Sequence, residues 1–137
     1  MTHDPKIIAL QYYEAWNTRN LSIPDEIFAP TFQIRDDGSP IPVVNGPDGV
    51  KQRIVEYCAA FPDLSITVEG MIAEGDTVIT TWTLRGIHRG EFLGIAPSGN
   101  NVEVTGTTLH RVEGGVIVAA RVNWDTLTLM RQIGALP

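Results

Sequence analysis

The chain has 137 residues, of which 43% are hydrophobic and 19% charged, and its formal net charge is −6 at pH 7. This composition predicts one soluble globular domain over residues 1–137. The acidic balance argues against nucleic acid or an anionic membrane as a partner, and no apolar run reaches the roughly 20 residues that span a bilayer. The N-terminal residues do not resemble a signal peptide, and the single cysteine, Cys58, predicts a reducing, cytoplasmic location.

Three helices are predicted in the first half of the chain. Asp4 and the proline after it start a first helix over residues 5–19, along which apolar residues recur at helical spacing. Ser22 precedes a short second helix. A third helix spans residues 47–60 and ends at "FPD", since proline disfavours helical geometry in the residue before it. Between the second and third helices, the sequence predicts a short strand over residues 32–35 and then a loop.

From Leu64 onwards the hydrophobic period changes to two, which indicates strands. Four long antiparallel strands are predicted, with turns at Glu74–Asp76 and Glu113–Gly115 and a glycine-rich crossing in the middle. A last short helix is stopped by Gly134. Helices followed by a strand meander predict an α+β fold, in which N-terminal helices cover the concave face of a curved, mostly antiparallel sheet and enclose a pocket.

The sequence shows no motif for a metal or an organic cofactor, and we expect neither. His3, His88 and His110 lack the spacing of a metal triad. No P-loop, GxGxxG motif or nucleophile elbow occurs. For His88, near a predicted sheet edge, we expect a structural hydrogen-bonding role.

Four stretches carry a resemblance to a known family: "YYEAWN", the long segment from "GPDGVKQRI" to "NNVEVTG", "LHRVEGGVIV" and "WDTLTLMRQIG". Together they cover most of the chain, and "HRGEFLGIAPSG" and the terminal "WD…QIG" are the more specific motifs. The chain resembles the SnoaL-like branch of the NTF2-like superfamily, which includes polyketide cyclases. The resemblance implies an NTF2-like cone, and the superfamily carries unrelated chemistries and binding roles on that scaffold.

Cyclases similar to this chain close a polyketide ring by intramolecular aldol condensation, without a cofactor. One carboxylate in a dry pocket can remove a carbon-bound proton and later return one, provided that burial raises its pKa. By the resemblance, Asp125 matches the catalytic aspartate of the family and His110 a histidine that assists it. From the residues alone, a helix N-cap is the preferred interpretation of Asp125, and a surface position explains His110 equally well.

The last predicted strand has one polar face, which carries Arg121, Asn123 and Asp125. Such a face is either solvated or the floor of a polar pocket. With the resemblance we predict the pocket, in which Arg121 and Asn123 bind the substrate. The opposite face is predicted to pack against a second subunit in a homodimer, with a tetramer as the alternative. It carries Val118, Ala120, Val122 and Trp124.

Two departures from the family pattern bear on the site. Many relatives have a His-Trp pair where this chain has Ala120-Arg121. An arginine there could hold Asp125 ionised and make it a base but a poor proton donor. Arg35 and Asp36 stand near where relatives often carry a histidine, so a second polar group of the family is expected to be missing.

Four further residues are expected to contact the substrate, which is predicted to be a small hydrophobic or polyketide-like molecule. Asn17 and Tyr13 belong to the first helix, which covers the pocket in similar proteins. Trp82 and Phe92 are interpreted as pocket wall or core.

Three alternative functions are weighed against the cyclase. Some relatives hydrolyse epoxides with an Asp-Arg-Asp arrangement, part of which Arg121, Asn123 and Asp125 could mimic. A cofactor-independent hydroxylase of aromatic polyketides is the second alternative. The third is a non-catalytic small-molecule-binding protein on the same scaffold.

Overall fold

The computed structural model describes residues 4–39 and 41–136, which form four helices and six strands. No helix among these residues is long and apolar enough to cross a membrane. In chain order the elements are α1 (Pro5–Thr18), α2 (Ile23–Ile27), β1 (Phe28–Asp36), β2 (Val43–Asn45), α3 (Gly46–Ala60), β3 (Ser65–Glu74), β4 (Thr77–Ile87), β5 (Asn101–Glu113), β6 (Val116–Trp124) and α4 (Thr126–Gln132).

The six strands form one curved sheet in the order β2-β1-β6-β5-β4-β3. β1 runs parallel to β6, and every other neighbouring pair in this sheet is antiparallel. Helices α1 and α3 pack on one face of the sheet, and the buried apolar side chains between them form the core. The predicted α+β fold with a curved, mostly antiparallel sheet is confirmed.

Local sequence signals fix the ends of α1. The Asp4 carboxylate accepts a hydrogen bond from the Lys6 backbone N–H at 2.9 Å, which caps the first turn. At the other end Arg19 adopts a left-handed conformation with φ of 58°. Its guanidinium donates to the carbonyl oxygens of Trp16 and Leu64. These bonds tie the end of α1 to the segment that leads into β3.

The first two strands extend beyond what the sequence predicts. β1 begins at Phe28 and β2 lies within the predicted loop. Both depend on pairing with distant segments: β1 aligns Ile34 with Ala120 and Asp36 with Val122 of β6. This parallel register brings the end of β1 beside the end of β6.

The two faces of β6 point in the opposite directions from those predicted. Ala120 and Val122 are buried under the helices of the same chain, whereas Arg121 and Asn123 are exposed on the outer face. The prediction that Val118, Ala120, Val122 and Trp124 pack against a partner subunit is therefore wrong. From Ala120 to Asn123 inward and outward side chains alternate as predicted, and Arg121 and Asn123 lie on the outer face of the sheet. At Val118 the pairing of β6 with β5 is irregular, and the buried residue there is Ile117.

The crossing between β4 and β5 packs closely against the end of α3. A Cβ atom on Gly90 would lie 2.2 Å from the Ala59 carbonyl oxygen, so only glycine fits the approach. The buried His88 ring accepts a hydrogen bond at Nδ1 from the Ser98 backbone N–H at 3.1 Å. The expected structural hydrogen-bonding role of His88 is confirmed.

Candidate active site

A cavity lies between helices α1 and α3 and the helix-covered face of the sheet. Its free volume is about 40 Å³, room for roughly three water molecules, so a larger substrate requires lining side chains to move. One oppositely charged pair, Asp36 and Arg53, stands among mostly aromatic and aliphatic walls. The lining residues are Tyr12, Tyr13, Trp16, Asp36, Arg53, Tyr57, Ile66, Trp82, Leu84, Thr108, Val122 and Trp124.

Asp36 is the buried carboxylate of this cavity. It is the last residue of β1, and its side chain is 3% exposed. Oδ1 accepts a hydrogen bond from the Trp124 indole N–H at 3.1 Å, and Oδ2 accepts one from the Arg53 guanidinium at 3.1 Å. Because β1 aligns Asp36 with Val122, the indole two residues further along β6 reaches the carboxylate.

The environment changes how readily Asp36 takes up a proton. Burial raises the pKa of Asp36 above its ordinary value, while the charge of Arg53 and the hydrogen bond from Trp124 lower it without cancelling the effect of burial. A buried carboxylate with a raised pKa is a stronger base than an exposed one. Such a group in a cavity is a candidate for general acid–base chemistry.

Arg53 connects the carboxylate to the chain segment that follows β1. A second guanidinium nitrogen donates to the Ser39 hydroxyl at 2.9 Å and, at 3.4 Å, to the Ile41 carbonyl oxygen. The guanidinium carbon lies 5.7 Å from the centre of the Tyr57 ring, within the range of a cation–π contact. These contacts hold the Arg53 side chain in one position beside Asp36.

A groove on the surface adjoins the same two α3 side chains. Arg53 and Tyr57 border both the cavity and this groove. The groove also contains three large apolar side chains that are exposed, Ile41, Val43 and Leu93. Arg53 and Tyr57 thus separate the interior cavity from an apolar outer surface.

Asp125 lies outside the cavity, where it caps helix α4. Its carboxylate accepts hydrogen bonds from the Thr128 backbone N–H at 3.0 Å and from the Thr128 hydroxyl at 2.6 Å. These bonds lower the pKa of Asp125, whose side chain is exposed. The N-cap interpretation, which the residues alone favoured, describes what the structure shows.

The cap makes a testable prediction about Asp125. We expect Asp125→Ala to lower the melting temperature, because the first turn of α4 loses its acceptor, whereas Asp125→Asn should stay close to the wild type. The difference in melting temperature between the wild type and Asp125→Ala should shrink at acidic pH, since a carboxylate with a lowered pKa stabilises the fold above its unfolded pKa and loses this effect as the pH falls through its folded pKa. Thermal unfolding at several pH values measures it. Equal melting of both variants would contradict the cap.

The predicted pocket of Asp125, Arg121, Asn123 and His110 is wrong as a spatial arrangement. Arg121 and Asn123 are exposed on the outer face of the sheet, and Arg121 lies 3.4 Å from the Asp37 carboxylate. His110 lies on the helix-covered face of β5, fully buried. The sheet therefore separates His110 from the other three residues.

His110 packs in the core behind the cavity wall. Its ring meets those of Tyr12 and Tyr13 edge to face, with centroids 5.0 and 6.3 Å away. Burial lowers the pKa of His110 to about 3, so the ring is neutral at physiological pH. Neither a histidine that assists Asp125 nor a surface position fits this environment.

The four other predicted substrate contacts divide into two groups. Tyr13 and Trp82 line the cavity. Asn17 instead exchanges two hydrogen bonds with the backbone of Ile66, at 2.8 and 2.7 Å, and so fastens α1 to β3. Phe92 is core, packed edge to face against the Tyr57 ring at 5.3 Å.

Sequence reasoning missed Asp36 and Arg53. Asp36 followed a segment predicted as a short strand over residues 32–35, and an aspartate after a strand is also typical of a loop. Arg53 lies three residues after Val50 and one before Ile54, both buried, which was a weak signal that it borders the core. Among the residues that the structure describes, no group of three His, Cys, Asp or Glu side chains is placed to hold a metal ion.

Comparisons with known proteins identify a family and similar solved structures. The profile of the SnoaL-like polyketide cyclase family matches residues 6–133. No curated protein is detectably similar to the chain in sequence. Solved structures with NTF2-like and ketosteroid-isomerase-like folds are similar to it over nearly its whole length.

Three of these structures are similar at 27–31% identity. AclR from Streptomyces galilaeus, a proposed hydroxylase, is 28% identical with a TM-score of 0.85, covering 98% of this chain and 83% of its own. A proposed SnoaL-like polyketide cyclase from Jannaschia sp. CCS1 is 27% identical with a TM-score of 0.86, covering 97% and 93%. IdmH, a proposed polyketide cyclase from Streptomyces antibioticus, is 31% identical with a TM-score of 0.84, covering 96% and 99%. Because the family profile extends from α1 to the end of α4, this chain belongs to the SnoaL-like polyketide cyclase family.

Proposed function

We propose that this protein is a cofactor-independent acid–base enzyme in which Asp36 moves protons during ring closure of a small polyketide-like substrate. The observation that carries the proposal is the buried carboxylate of Asp36 on an aromatic cavity, where burial raises its pKa. The family and its cyclase-like neighbours support the substrate class. Because Asp125 is exposed and its pKa is lowered, it is the weaker base of the two.

The reaction follows from one carboxylate acting twice. Asp36 takes a proton from the carbon between two carbonyl groups, and the electrons of the C–H bond form an enolate. The enolate carbon then bonds to a second carbonyl carbon of the same molecule, whose oxygen becomes an alkoxide. Protonated Asp36 delivers its proton to that alkoxide, which restores the carboxylate. No oxidant or reductant is consumed, so the proton balance closes within the site.

Arg53 and Trp124 have supporting roles in this scheme. Both hydrogen-bond the Asp36 carboxylate and keep one oxygen each oriented. Arg53 also compensates the negative charge in the cavity, so that Asp36 can be ionised before substrate binds. When Asp36 is protonated, the cationic Arg53 nearby favours release of that proton to the alkoxide.

The test is proton exchange from carbon. The protein is incubated in deuterated buffer with 1-indanone, 2-tetralone and benzoylacetone, and loss of the α-proton signal is followed by NMR. We expect exchange faster than in buffer alone for at least one ketone. If one or more of the ketones bind saturably and none of the three exchanges faster than in buffer, Asp36 is not the base.

One neighbour favours a second candidate, since AclR is described as a proposed hydroxylase. Formation of a carbanion by Asp36 is a step that a cofactor-independent hydroxylase shares with a cyclase. Mass spectrometry of the product separates the two: aldol ring closure leaves the substrate mass unchanged, and subsequent dehydration would lower it by one water, whereas hydroxylation by molecular oxygen adds one oxygen atom. The epoxide hydrolase built on Arg121, Asn123 and Asp125 loses its support, because these side chains lie outside the cavity.

We further propose that the protein forms a homodimer through the outer face of the sheet. Ile72, Ile79 and Leu109 are neighbours across β3, β4 and β5 and form one row of exposed apolar side chains, with Ile72 72% exposed. In the next row of the same face, Glu74 of β3 and Arg111 of β5 stand on either side of β4. A two-fold axis through the apolar row, parallel to the strands, would place Glu74 of one copy against Arg111 of the other.

The dimer predicts a specific sensitivity to charge. Ile79→Glu should shift the protein from dimer to monomer at micromolar concentration, because a carboxylate would be buried at the centre of the interface. Light scattering gives the mass. Val55→Glu, at an exposed apolar position on α3, is the matched control and should leave the dimer intact. A wild-type monomer at these concentrations would refute the interface.

A further inference from the structure

A second polar region borders the cavity on the side of β4 and β5. It consists of the side chains of Tyr13, Thr80 and Thr108, here called the hydroxyl cluster, which are 3%, 0% and 2% exposed. Thr80 and Thr108 are directly paired across β4 and β5, and the Tyr13 hydroxyl lies beside both threonine hydroxyls. Tyr13 and Thr108 line the cavity.

The hydroxyl cluster has unused hydrogen-bonding capacity. Neither the Tyr13 hydroxyl nor the Thr80 hydroxyl makes a hydrogen bond of good geometry within the described chain, and the nearby His110 ring has no partner for either nitrogen. Buried polar groups are paired in the great majority of cases, and an unpaired one costs stability. Several of them around one part of a cavity indicate that a polar group of a ligand completes the set.

The available groups are mainly donors. The Thr108 hydroxyl accepts a hydrogen bond from the Trp82 indole N–H at 2.9 Å, which leaves its own proton free to be donated. Burial raises the pKa of Tyr13, so its hydroxyl stays protonated and also donates. Two neutral donors facing one cavity suit an acceptor oxygen without a full charge, such as the carbonyl oxygen of a ketone.

The distance between the hydroxyl cluster and Asp36 determines which carbonyl oxygen of the substrate the cluster can bind. In the sheet, β6 lies between β1, which carries Asp36, and β5, which carries Thr108. Two strand spacings correspond to about 10 Å. A polyketide chain has carbonyl groups on alternate carbons, so a substrate that reacts at Asp36 has a further carbonyl oxygen within reach of the other side of the cavity.

We propose that the hydroxyl cluster is a specificity subsite that binds a ketone oxygen of the substrate remote from the carbon deprotonated at Asp36. The proposal rests on the proposed function for the identity of the substrate, but ketone binding can be measured without turnover. The subsite orients the substrate and favours ketones over hydrocarbons of the same shape.

The experiment compares 1-indanone with indane, which lacks the oxygen, by titration with fluorescence detection. In Tyr13→Phe and in Thr108→Val, we expect the dissociation constant of indanone to rise about tenfold relative to that of indane, the scale of one or two lost hydrogen bonds. Thr107→Val, a neighbouring threonine on the outer face, is the matched control and should keep the wild-type ratio. Asp36→Asn should also keep the indanone-to-indane ratio while slowing proton exchange from benzoylacetone, so the failure of one proposal can be told from the failure of the other.

Infrared spectroscopy of bound indanone provides a measurement that does not depend on the variants folding. Hydrogen bonds from the cluster should lower the carbonyl stretching frequency in the wild-type complex relative to an apolar solvent. Three outcomes would overturn the subsite: no saturable binding of indanone, an unshifted carbonyl stretch, or the same preference in both cluster variants as in the wild type. The last two would indicate that the cluster holds only water.

Discussion

Replacing Asp36 with asparagine is expected to slow proton exchange from a bound ketone by about a hundredfold or more, the usual scale of general acid–base catalysis. Asparagine has nearly the same shape and can still accept a hydrogen bond from Trp124 or Arg53. It cannot take up a proton from carbon. Ketone binding should therefore persist while exchange is lost, and the NMR assay with the three ketones measures the change.

The pH dependence provides an independent check on the role of Asp36. A base must be ionised in the free enzyme, so kcat/KM should fall as the pH drops through the pKa of Asp36. Burial raises this pKa, so the acidic limb should lie at higher pH than for an exposed aspartate. Asp125→Asn is the matched control and should retain full activity. Full activity in Asp36→Asn would refute the proposed base.

The fold could be predicted from the chain because its signals are local. Asp4 and the following proline start α1, and the change of hydrophobic period after Leu64 marks the sheet. β2, in contrast, is only Val43–Asn45 and exists because it pairs with β1. No local pattern distinguishes three such residues from a loop, since the partner strand supplies the reason for their conformation.

The site could be predicted only in part, because a period of two gives the alternation but not which face is inward. On β6 the polar residues Arg121 and Asn123 point outward, and the resemblance led to the opposite assignment. Tyr13 and Trp82 line the cavity as predicted, because aromatic side chains at core spacing are buried on the inner face. Asp36 was missed because its burial depends on the parallel pairing of β1 with β6, two segments that are far apart in the chain.

Replacing Arg53 with methionine should destabilise the protein, and the loss should grow with pH. Asp36 and Arg53 are both largely buried, with side chains 3% and 10% exposed. Removing one partner of a buried ion pair typically costs about 3–5 kcal/mol, because the remaining charge is left uncompensated. We expect a loss of this order at pH 8. Chemical denaturation at pH 8 and at pH 4 gives the free energies of unfolding.

The sign of the pH effect follows from the direction of the shift. The pKa of Asp36 is raised in the folded state, so its contribution to stability is present below the unfolded pKa and is lost as the pH rises through the folded pKa. Without Arg53, which lowers this pKa, the folded pKa rises further and the loss above it becomes larger. The acidic limb of kcat/KM should move to higher pH for the same reason.

Arg121→Met is the control, since it removes an exposed partner of Asp37. It should cost about 0–1 kcal/mol and leave the pH of the acidic limb unchanged. If Arg53→Met loses the same free energy at both pH values and its limb does not move, then Arg53 stabilises the fold only through Ser39 and Ile41 and does not tune Asp36.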